Sequence, residues 1–236
     1  MKYATYVAYH GDRMDYKEQS EIIKNSLNLT TEPVAIKLFE KESKAKSYLE
    51  KGDNILHCQA VITASKGKSF YSTSKELGCG VAGQILGLKE VKENLTDGRY
   101  FDSKNVTQNQ EKGANLISEA SIINEKTEAI GYMPLGKVTF KPDVIAIIAE
   151  PKQIYNIIRA HVYHTGKRLE TSVSGTQSLC GDIVAKTIIE NKINISYGCV
   201  GSHLATEFGS TDVAVGIPID ELEDICDALK IVKLPQ

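Results

Sequence analysis

The residues of this chain best equipped for chemistry are its five cysteines: Cys58, Cys79, Cys180, Cys199 and Cys226. Four of them form two pairs of similar spacing, 21 positions apart (79 − 58) and 19 apart (199 − 180). Cys79 lies in ELGCGVAGQILGL, between Gly78 and Gly80; Cys199 lies in SYGCVGSHLATEF, after Gly198 and shortly before Gly201. A cysteine at the head of a helix meets free backbone N–H groups and the positive end of the helix dipole. Both favour the thiolate, the form that ligates metal or attacks an electrophile. Glycines beside it allow the backbone to come close to a bulky group. Cys58 and Cys180 also fall where helices should begin. Four thiolates suit zinc or an iron–sulfur cluster. The close cysteine pairs of zinc modules are absent, whereas a 4Fe-4S cluster can take ligands from separate elements and gains from N–H groups around its sulfurs. The pattern therefore favours a 4Fe-4S cluster held by Cys58, Cys79, Cys180 and Cys199, with zinc as the alternative metal. Metal-free reading leaves two options, nucleophilic thiols or small buried packing residues. His57, next to Cys58, and His203, one turn beyond Cys199, are candidates to support the sulfurs or replace one as ligand.

Gly78, Gly80 and Gly83 also spell G-x-G-x-x-G. A dinucleotide loop needs an apolar strand before it and an acid closing a second strand about 20 residues later. The preceding SFYSTSKE is polar, and the acid at that distance, Asp97, lies in the turn-like NLTDGRY. The second cysteine segment keeps Gly-Cys and loses the glycine pattern, so the feature common to both is the thiol.

The elements that must position these thiols recur. Apolar, β-branched runs PVAIKLF (33–39) and PDVIAIIA (142–149) read as buried strands. Each leads into a helical stretch, then a helix opened by Cys58 or Cys180. A short alternating strand follows (69–72 or 193–196), then Gly-Cys with another short helix, then EAIGYMP (128–134) or DVAVGIP (212–218). This order predicts a mixed α/β (α+β) fold of two pseudo-symmetric repeats in one globular unit, 30–136 and 137–236. The first repeat carries a polar insertion, 90–121, helical around 110–120. Helices around 16–27 and 220–232 flank the repeats, and Leu222, Ile225, Cys226 and Leu229 share one face of the latter, making Cys226 a core residue. His161 and His164, with Lys167 and Arg168 after them, read as a solvated helix end. The hydroxyl-rich TSVSGTQS (171–178) reads as a loop that could line a small-ligand pocket, with Ser178 as a helix cap.

The bulk figures limit the partners. Twenty-eight Lys and Arg against 30 Asp and Glu leave a net charge of -2, which argues against a nucleic-acid or anionic-membrane surface. No apolar run approaches the roughly 20 residues of a membrane span. The first residues lack a long apolar stretch and a small-residue cleavage site, so a cytoplasmic protein is expected, in which free cysteines are the rule. No Walker, H-E-x-x-H or paired-carboxylate pattern is present. The expected partner is a redox protein or a small molecule, and a homodimer is compatible with the chain.

These segments together resemble the family called domain of unknown function 169. The resemblance rests on PVAIKLF after an N-terminal helix, the two cysteine segments, ELGCGVAGQILGL, PDVIAIIAEPKQ and SYGCVGSHLATEF, the last with Gly-Cys-x-Gly at Gly198, Cys199 and Gly201. Family members often carry a basic residue two positions after that second glycine, where this chain has His203. The resemblance implies an occurrence mainly in archaea and anaerobic bacteria, which suits an oxygen-sensitive cluster, and it implies no particular reaction.

Overall fold

The computed structural model describes residues 14–232. The expectation about a leader segment falls on residues 1–13, outside that range.

The strands predicted from apolar, β-branched runs form: β1 (Val34–Phe39), β3 (Ala129–Pro134), β4 (Val144–Ala149) and β6 (Val213–Pro218). Two shorter strands, β2 (Phe70–Thr73) and β5 (Asn194–Ser196), complete a six-stranded sheet of order β2-β3-β1-β4-β6-β5. Every neighbouring pair is antiparallel, so the fold stands at the α+β end of the mixed class. The central junction is β1 against β4, with Val34 opposite Ala146 and Ile36 opposite Val144.

Successive strand residues face opposite sides of a sheet. Val34, Ile36, Ile130, Tyr132, Val144, Ala146 and Ala214 thus build one core, and Ala35, Ile145, Ile147, Val215 and Ile217 build the other. The first core is covered by α3 (His57–Ser65), α4 (Gly80–Ile85) and a π-helical segment, Ser178–Ala185, that continues into α9 (Lys186–Glu190). The second is covered by α1 (Tyr16–Leu27), α8 (Pro151–Thr165) and α11 (Leu222–Ile231). Cys226 is fully buried there, its thiol directed at the Gln19 carbonyl oxygen, 3.8 Å away. Burial pushes that thiol up to about 12. A short helix, α2 (Glu42–Lys46), follows β1.

The polar insertion folds as α5 (Glu93–Thr96), α6 (Arg99–Asp102) and α7 (Gln110–Ser118). One local expectation needs correction. Ser178 is not a cap: Gln177, at a left-handed φ of 46°, precedes the π-helix, and Ser178 is its buried first residue. The π-helix lies directly on β6, where a Cβ on Gly216 would stand 2.4 Å from the Ile183 carbonyl oxygen. The end of α8 is solvated as predicted, with His164, Lys167 and Arg168 exposed. His161 and His164 face acids of the next helix across the layer, with Nδ1 of His161 3.7 Å from Glu221 and Nε2 of His164 3.2 Å from Asp224. Helical periodicity shows that such residues share a face but not what that face meets.

Candidate functional site

The four cysteines stand at four helix starts on one side of the sheet. Cys79 is the N-cap of α4, and its sulfur accepts from the Ala82 N–H at 3.4 Å. Cys199 is the N-cap of α10 (Val200–Ala205). Its own N–H donates to Ser202 Oγ at 2.7 Å, and the Ser202 N–H donates back to the Cys199 sulfur, a reciprocal capping box. Cys58 is the second residue of α3 and Cys180 the third of the π-helix.

Local ties bring these starts together. In the first segment, Ile55 N–H donates to the Glu76 carbonyl at 2.9 Å and Gly78 N–H to the Ile55 carbonyl at 3.0 Å. The loop before Cys79 is thereby held beside the residues leading to Cys58. In the second, Ser196 Oγ donates to Asp182 at 2.8 Å, and the Asn194 amide donates to the Asp182 carbonyl at 3.0 Å, joining β5 to the π-helix. Gly198 then turns the chain with φ +90°, where a Cβ would stand 2.8 Å from Ser202 Oγ, and Cys199 follows. Across the segments, the Gln59 amide of α3 donates to the Ala205 carbonyl of α10 at 2.8 Å.

The sulfurs consequently feel one another. The Cys58 thiol donates to the Cys199 sulfur, which pushes the Cys58 thiol well up, with burial and the charges of Cys180, Cys199 and Cys79 acting the same way. The same bond brings Cys199 down to about 4, against the opposing effect of burial and with help from the Ser202 N–H and from Ser178. Ser178 Oγ is buried with no conventional hydrogen-bond partner, and stabilising the Cys199 thiolate is the role its position gives it. Burial raises Cys180, as do the neighbouring Cys79 and Cys199. The site is thus a mutually coupled set of thiols, two buried and two partly exposed. Among the described residues no three His, Cys, Asp or Glu side chains are gathered closely enough to close on a single metal ion.

The glycines play unequal parts. A Cβ at Gly80, just after Cys79, would meet nothing within 4 Å, and one at Gly201 would lie 3.8 Å from the Cys199 sulfur, so backbone flanks both thiols with little side-chain cover. Gly78 fits under the Asn54 side chain, 3.1 Å from where a Cβ would be. The histidines lie apart from the thiols' own hydrogen bonds. His57 is fully buried, with Nε2 donating to the Leu179 carbonyl (3.3 Å) and Nδ1 accepting from the Tyr132 hydroxyl (2.9 Å). The carbonyl can only accept, which sets the tautomer. Burial brings His57 down to about 4, so it is a neutral strut beneath the thiols. His203 bonds the Tyr197 carbonyl at 2.8 Å and packs edge-on against Phe208.

Two tyrosines complete the surroundings. Tyr132, under the site, is raised by burial and then by Cys58 and Cys180. Tyr100, from the insertion, is raised by burial and then by Cys79, Cys199 and Cys180. Ser202 could have been found from its place three residues into a helix capped by Cys199. Tyr100 sits in a polar insertion with no pattern, and no sequence signal marks it.

The chain is 27% identical over 222 residues to the uncharacterized protein MJ0308 of Methanocaldococcus jannaschii, covering 93% of this chain and 95% of the relative. No solved structure matches. The profile of the family described as "Uncharacterised ArCR" matches residues 22–228, a span that holds all four site cysteines and every strand. The chain belongs to that family, domain of unknown function 169.

Proposed function

We propose that Cys58, Cys79, Cys180 and Cys199 hold an iron–sulfur cluster of the 4Fe-4S type, and that the protein uses it to transfer electrons or sense redox state in an anaerobic cytoplasm, with a redox protein or small molecule as partner. The observation that supports this is the electrostatic coupling of four thiols, each from a different helix start on one side of the sheet. Backbone N–H groups at two of those starts suit cluster sulfurs, and exposed backbone at Gly80 leaves room beside Cys79. A single zinc ion would need sulfurs about 3.8 Å apart, from Zn–S bonds of about 2.3 Å. A cubane spreads its ligands more widely than that and can take them from four separate elements.

The two halves, 30–136 and 137–236, are read as repeats about a pseudo-twofold axis. The strand order supports this: pairing β1 with β4, β2 with β5 and β3 with β6, it reads alike from either edge. A twofold between β1 and β4 would bring the Cys58–Cys79 and Cys180–Cys199 pairs to one seam. Four cysteine ligands leave no open iron, which favours electron transfer or sensing over Lewis-acid catalysis.

Anaerobic purification with iron and sulfide analysis tests the proposal. A brown protein with about four irons and four sulfides per chain is expected, and metal-free protein after anaerobic reconstitution overturns it. The Cys58–Cys199 contact supports one second reading, a metal-free protein with Cys199 as nucleophile. A colourless protein with a single fast-alkylating thiol at Cys199 would favour it.

A further inference from the structure

We infer that the sheet face opposite the cysteines carries a binding site for a small organic anion, an apolar group bearing a carboxylate or a phosphate. A cleft of about 680 Å³ opens there between the end of α8, the loop after it, the turn after α9 and the start of α11. Its volume is that of a small-molecule site. Three cations line it from two separate segments: Lys167 and Arg168 after α8, and Lys192 after α9. All three are exposed, and among the described residues none of them makes an ion pair.

A helix C-terminus favours a following cation, and the dipoles of α8 and α9 account for each of these singly. They do not account for the meeting of cations from two helices around one hollow. Nor do they account for its apolar wall, formed by Leu169 and Ile193, both part of or packed against the second core. Two acids also line the cleft. Glu221 faces His161 at 3.7 Å. Glu170 is exposed and opposes an anion. Three unpaired cations against these two acids still leave a local positive excess in a chain whose net charge is -2. Charge selects an anion, and the Leu169–Ile193 wall selects one with an apolar portion.

Titration calorimetry of the full chain with phenyl phosphate, benzoate and phenol tests the site. At least one of the two anions binds at one molecule per chain, and phenol does not. The tighter of the two anions tells a phosphate ester from a carboxylate. The double variant R168E/K192E, checked for native circular dichroism, binds at least about tenfold more weakly, because reversing two charges near the ligand removes attraction and adds repulsion. E170Q binds at least as tightly as the wild type. Absence of binding by both anions at millimolar concentration, equal binding of phenol, or full binding by R168E/K192E overturns the inference. The site is remote from the thiols, so Cys79→Ser retains anion binding whether or not iron is lost.

Discussion

Cys199 and Cys58 share a proton unequally, and the reason lies in what surrounds each sulfur. Cys58 is buried inside the first core, where a charge is costly, while Cys199 sits at a helix start with N–H and hydroxyl donors. In the metal-free protein Cys199, at about 4, should therefore be alkylated at a rate nearly independent of pH between 5 and 8. An ordinary thiol slows about tenfold per unit below its pKa. Iodoacetamide labelling followed by mass spectrometry checks this, and a tenfold fall per unit at Cys199 would contradict it. Replacing Cys79 or Cys199 separately by Ser should lower iron and sulfide content in both variants. Loss in one alone breaks the idea of a shared cluster. Cys226→Ser serves as the contrasting case. It puts a hydroxyl into a tight core and should cost about 1–3 kcal/mol in urea unfolding, with iron content unchanged.

His57 links single residues to the elements around them, because it joins α3, β3 and the π-helix through Tyr132 and Leu179. Its folded value of about 4 lies below the ordinary 6.5. The unfolded chain then binds the extra proton between these values. The stability from keeping His57 neutral is fully present above about pH 6.5 and is lost as pH falls toward 4, about 3 kcal/mol in all. Urea midpoints measured from pH 7 to 4 should fall less steeply in His57→Gln than in the wild type, and parallel curves would rule out this role. At the start of α10, Gly198→Ala meets both a positive φ and a side chain 2.7 Å from His203 Nε2. It should cost about 1–3 kcal/mol and, by displacing the Cys199 start, reduce bound iron. Retention of full iron would separate that turn from the site. These elements were largely legible beforehand. The strands from 33, 128, 142 and 212 and the helix over 16–27 form where the apolar patterns put them. The π-helix and the left-handed Gln177 were not legible, because the close seat of Ile183 on Gly216 brings together residues far apart in sequence.

Across the full sheet, the central β1–β4 junction joins the strands of the first cysteine segment to those of the second. A cluster whose ligands come from both sides would bind the folded chain and not the unfolded one, and so stabilise it by mass action. Removing iron with a chelator under anaerobic conditions should therefore lower the thermal midpoint. An unchanged midpoint would mean the cysteines carry no such link.

The order of elements, the repetition of Cys and Gly-Cys segments, and the placing of those cysteines at helix starts follow from local patterning, since periodicity and turn chemistry act over a few residues. Which thiols meet does not follow from patterning. The Cys58–Cys199 coupling, the Tyr100 ring brought in by a polar insertion, the Ser178 hydroxyl beside Cys199 and the packing of His203 on Phe208 depend on how distant segments pack. Packing is governed by shape and burial across the whole core, and a local pattern in the chain records neither.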